Sequence, residues 1–194
     1  MEEKDIQSEL SSIRNLMERS TRFISLSGLA GVLAGVYALV GTFTAYRIME
    51  GSSIDVFNPL LMLAIAVLTL SVLTGIGMTV RQAQKMKEKV WNPISRKLIA
   101  NMALPLLTGG IFILILLSKE QYDFIAASTL IFYGLALAAA GQFTFSDVKW
   151  LGLLEIALGL IATLLPEYSL WLWGAGFGVL HILYGTIMHV KYKQ

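Results

Sequence analysis

The chain has no cysteine, four prolines and only 14% charged residues in a length of 194. The missing cysteines exclude disulfides, thiolate nucleophiles, iron–sulfur clusters and Cys-type zinc sites. Reaction signatures are missing too: there is no HExxH, no GxSxG, no Walker loop and no set of facing carboxylates, so no enzymatic activity is expected. A net charge of +2 gives no reason to expect nucleic acid as a partner. The opening MEEKDIQSEL is charged and mixed in sign, unlike a basic segment followed by a short apolar one. The expectation is therefore no cleavable signal peptide and a first span that serves as its own anchor.

What the chain has in excess is apolar surface. At 56% hydrophobic residues and a mean hydropathy of +0.68 it exceeds what a soluble fold of this size can bury, so lipid is expected to be part of its solvent. A helix crossing about 30 Å of hydrocarbon needs roughly 20 apolar residues. Six stretches qualify, at about 23–46, 57–80, 98–118, 124–142, 150–165 and 169–190. The predicted fold class is all-α: a polytopic membrane protein, a bundle of six transmembrane helices in residues 23–194 preceded by an amphipathic helix in 1–22.

Threading those spans through a bilayer sorts the charge. Thirteen of the fifteen Lys and Arg fall on one side, and only Arg47 and Lys119 on the other, among Glu50, Asp55, Glu120, Asp123 and Glu167. That bias predicts an inner, cytoplasmic membrane location with both termini inside the cell. Trp150, Trp171 and Trp173 fall near the predicted boundaries, where amphipathic rings belong. The basic stretch from Gln82 to Pro93 is expected to be a helical connector at the interface, ended by Pro93.

Before the first span, Ile6, Leu10, Ile13 and Met17 are spaced four, three and four, which lays one apolar stripe along a helix. Residues 2–22 are thus a candidate surface for self-association or for a cytoplasmic protein partner, besides lying on the headgroups. Close helix approach in lipid relies on small residues. Gly28, Gly31 and Gly35 in the first span, and Gly174 and Gly178 in the sixth, are candidates for packing inside the bundle, with dimerisation through the Gly31–Gly35 pair as the alternative. Two internal symmetries are conceivable, three tandem hairpins or an inverted pair of three-helix halves. In the second, Pro105 in the third span and the glycines of the sixth would be matching breaks, which mark transporter sites.

The stretch LGLLEIALGLIATLLPEYSLWLWGAGFGVLHILYGTIM is an apolar helix, a Pro-containing outer turn and a Gly-rich return helix. It resembles the hairpin unit of the HdeD-like acid-resistance membrane proteins. The resemblance implies three such hairpins in tandem in a bacterial six-helix membrane protein and carries no catalytic residue over.

An ionisable side chain inside a span costs about 2.5–3.5 kcal/mol on insertion scales, so each needs an explanation. Glu155 and His181 stand about equally far from the turn at Pro166 to Tyr168, which places them at one depth in antiparallel neighbours. They are expected to meet, with Tyr184 one turn along as a third member and Asn101 as a cavity candidate. The pair would either lock the hairpin by hydrogen bonding or act as a proton-linked switch, because desolvation favours the neutral forms and mutual attraction the charged ones. No cofactor is expected. His181 and His189 are eight residues and about 12 Å apart along one helix, so they cannot ligate opposite faces of one haem. One Glu and one His fall short of a zinc site. The expected role is a sensor, regulatory or accessory scaffold membrane protein, the alternative a small proton-linked transporter using Glu155 and His181.

Overall fold

The computed structural model describes residues 27–51 and 56–192. The stripe of Ile6, Leu10, Ile13 and Met17 lies outside the described residues. Within them the fold is an all-α bundle of six helices, five of them long and apolar enough to cross a membrane. It is the fold of a multi-pass membrane protein. The helices are α1 (Gly28–Gly51), α2 (Phe57–Lys85), α3 (Pro93–Ser118), α4 (Ile125–Ala140), α5 (Ser146–Leu164) and α6 (Pro166–Lys191). The one outside the five is α5, which carries Asp147, Lys149 and Glu155 in 19 residues.

The helix ends differ from the sequence expectation for local reasons. α1 runs on to Gly51, with Arg47 and Glu50 forming an exposed ion pair at i, i+3. α2 continues to Lys85 and stops there, so Gln82 to Pro93 is not one helical connector. Its end is a Schellman motif: Glu88 N–H donates to Ala83 O and Lys87 N–H to Gln84 O, with Lys87 left-handed at φ 55°. Pro93 opens α3 rather than closing the connector. Asn92 Oδ1 accepts from the backbone N–H of Ile94 and Ser95, Ser95 Oγ accepts from Asn92 N–H, and proline at the first helical position loses nothing by lacking a donor.

Packing follows the order α2, α1, α6, α5, α4, α3. α2 packs chiefly on α1, and α3 chiefly on α4, so the two helices joined by the basic connector lie at opposite ends of the packing order. The large apolar side chains of α2 and α3, such as Met62, Leu68, Leu73, Leu104, Leu107 and Leu114, are exposed to the surroundings, as lipid-facing residues are. α6 is the central strut. It starts with a 3₁₀ turn at Pro166–Tyr168, is α-helical over Ser169–Trp173, widens to a π-helix over Gly174–Leu180 and returns to α over His181–Lys191.

Glycine sets the closest interfaces. Between α1 and α6, a Cβ on Gly35 would meet Gly178 O at 2.6 Å, one on Gly31 would meet Gly185 Cα at 3.3 Å, and one on Gly174 would meet Thr42 Oγ1 at 2.8 Å. Gly31, Gly35, Gly174 and Gly178 therefore pack within the chain. Between α4 and α5, a Cβ on either Gly134 or Gly152 would meet the other's carbonyl at 2.6 Å. α3 stays helical through Pro105, so the matching breaks expected of an inverted repeat reduce to one, the π segment of α6.

Candidate functional site

Glu155 and His181 meet where α5 crosses the π segment of α6. Their side chains are sealed: Glu155 is 0% and His181 6% exposed. His181 Nδ1 lies 3.3 Å from Glu155 Oε1 and 3.1 Å from the carbonyl oxygen of Gly176, five residues back on its own helix. A carbonyl only accepts, so Nδ1 carries a proton. On the far side of the ring, Nε2 lies 2.9 Å from Tyr133 Oη on α4. With a neutral imidazole, the Tyr133 hydroxyl donates to Nε2 while Nδ1–H donates to Gly176 O and leans toward the carboxyl group. The ring is thereby hydrogen-bonded to α4 and to its own helix, with the carboxyl group of Glu155 on α5 in contact beside it.

The residues around the contact are chosen for size and aromaticity. A Cβ on Gly176 would collide with Glu155 Oε2 and approach Leu130 Cδ2 to 2.6 Å, so only glycine leaves room for the carboxyl group. Trp173, Phe177 and His181 follow one another at intervals of four along α6, and their rings pack in sequence with centroids 4.9 Å and 5.8 Å apart. Tyr133 closes over Phe177 at 4.9 Å. The Trp173 ring turns into the bundle, where its Nε1–H donates to Thr129 Oγ1 on α4 at 3.1 Å. Below this column Ala127, Leu130 and Ala162 complete an apolar plug with Leu158 and Leu172.

The carboxyl group has no such complement. Among the described residues neither Glu155 Oε1 nor Oε2 has a hydrogen-bond partner, and His181 approaches Oε1 to 3.3 Å. A buried polar group in that state is an exception that calls for a structural or functional explanation. The carboxyl group itself is fully buried.

Among the described residues the other two sequence candidates make no hydrogen bond to this pair, although Tyr184 shares a hydrophobic cluster with Tyr133. Tyr184 is half-buried and packs against the cluster of Leu98, Leu137, Phe145, Val148, Leu151 and Met188. Asn101 is exposed on α3, and its amide donates to Lys97 O on its own helix at 2.8 Å. Tyr133 takes the place expected of Tyr184. It stands about as far before the α4–α5 turn as Glu155 stands after it, so the depth argument that paired Glu155 with His181 also points to Tyr133. Near the other end, Asp147 at the start of α5 accepts from Lys191 Nζ at 2.9 Å and from Tyr192 Oη at 3.1 Å, pinning the end of α6. No family model, no curated protein and no solved structure matches this chain.

Proposed function

We propose that this chain is a non-enzymatic protein of the inner, cytoplasmic membrane, with both termini inside the cell, that serves as a sensor, regulatory or accessory scaffold. The observation that carries this reading is the buried contact of Glu155, His181 and Tyr133, which brings three helices together at one ring. The charge bias of the loops supports the location and orientation. Residues 2–22, with Ile6, Leu10, Ile13 and Met17, are the proposed surface for a second copy or a cytoplasmic protein. The hairpin of α5 and α6 carries the resemblance to HdeD-like membrane proteins, which agrees with a role of this kind.

The test is a double-mutant cycle with Glu155→Gln and His181→Ala, read as the unfolding free energy of the purified protein. A coupling of about 0.5–3 kcal/mol is expected for groups in direct contact. Additive losses would remove the contact from any role in stability. The proton-linked transporter is a second reading, favoured by the unpartnered carboxyl of Glu155. In liposomes with an imposed pH gradient, proton flux abolished by Glu155→Gln supports transport, and a wild-type flux no greater than that of empty liposomes supports the scaffold.

A further inference from the structure

The three helix ends that meet at the basic side of the bundle border a partly open cavity of about 250 Å³, at which the Arg81 and Lys85 side chains are exposed. Arg81, Gln82 and Lys85 at the end of α2 line it, facing His189 at the end of α6, with Ser27 at the start of α1 opposite. Leu29 and Met78 form its apolar wall toward the membrane.

The cavity is electrically incomplete. Arg81 and Lys85 lie at i, i+4 on one helix face, a like-charge pair that repels, and among the described residues no carboxylate pairs with either. His189 adds an imidazole, whose Nδ1 is buried and has no hydrogen-bond partner among the described residues. The first turn of α1 contributes the positive end of a 24-residue helix. The carbonyl ends of α2 and α6 account for cations standing here, but they do not fill the space between them. What would fill it is an anion with several acceptor oxygens, small enough for the cavity and with room for an apolar extension along Leu29 and Met78.

We propose that this cavity binds a phosphate group, with Arg81 and Lys85 as the charged contacts and His189 and Ser27 as hydrogen-bonding ones. Phosphate matches the geometry because it offers oxygens to a guanidinium fork and an ammonium at once. Its sources are the headgroup of an anionic phospholipid, favoured by the apolar wall and by the position at helix ends, or a free phosphate from the aqueous side.

The experiment titrates the purified full chain in neutral detergent with short-chain phosphatidylglycerol in one arm and inorganic phosphate in the other, following the thermal unfolding midpoint. The expected result is a saturable rise with phosphatidylglycerol, weakened at least about tenfold in R81Q/K85Q and kept in R81K/K85R. A rise with inorganic phosphate that the same variants alter in the same way assigns the site to free phosphate. No rise in either arm, a rise unchanged in R81Q/K85Q, or an equal loss in R96Q/K97Q at the start of α3 overturns the proposal. Native mass spectrometry of the wild-type chain gives a second measurement independent of folding in the variants. One retained phosphate-bearing molecule per chain supports the site, and none contradicts it.

Discussion

At the contact of Glu155 with His181, the hydrogen on Gly176 Cα is what makes room for the carboxyl group. Adding a methyl there would force Glu155 Oε2 and Leu130 Cδ2 aside, and both side chains are fully buried. Gly176→Ala is expected to destabilise the protein by about 1–3 kcal/mol, the usual cost of overpacking. Combining it with Glu155→Ala, which removes the obstructing carboxyl group, should recover part of that loss. Additive costs in an unfolding titration would show that the glycine acts through the backbone alone. Depth along the helices made Glu155 and His181 legible as partners in the sequence, because antiparallel hairpins preserve distance from the turn. Facing was not legible in the same way. Tyr184 sits one turn from His181 on a half-buried face, whereas Tyr133 comes from another helix, α4, and bonds the ring from there.

At the scale of single elements, the six helices were visible as apolar runs, and their ends were not, because ends depend on caps rather than on hydropathy. The two Schellman ends illustrate this. Lys87 after α2 and Glu120 after α3 both take left-handed φ, 55° and 56°, positions where glycine is the usual residue. A side chain there carries a conformational cost, so Lys87→Gly is expected to raise stability by roughly 0.5–1 kcal/mol in detergent. A loss of stability instead would mean that the lysine side chain makes a compensating contact in the connector. The glycines inside the helices read differently. Gly28 and Gly35 on α1 are spaced seven apart, as are Gly178 and Gly185 on α6, and the antiparallel approach matches Gly28 with Gly185 and Gly35 with Gly178. Gly31–Gly35 alone suits dimerisation or internal packing equally, whereas two sevens on two helices fit one another. That second pair was the missing sequence signal.

For the whole molecule, the distribution of basic residues makes an orientation testable with little interference, because the chain contains no cysteine to contribute background. The connector between α2 and α3 and the turn between α3 and α4 lie at opposite ends of α3, a helix of 26 residues. At the usual rise that is about 39 Å, more than the thickness of the hydrocarbon core. A single cysteine at Lys89 and another at Glu120 therefore report on opposite faces of the membrane, and both positions are exposed. The charge bias predicts that Lys89→Cys resists an impermeant maleimide in intact cells and reacts after lysis, while Glu120→Cys reacts in intact cells. The reverse pattern would invert the topology, and the phosphate cavity lined by Arg81 and Lys85 would then face the outside. Labelling of both from one face would contradict α3 as a span. The result also bears on the sealed contact of Glu155 with His181. α5 runs from the Asp147 end, which holds Lys191, toward Pro166, so fixing the orientation of α3 fixes which face of the membrane lies nearer the Glu155 carboxyl group.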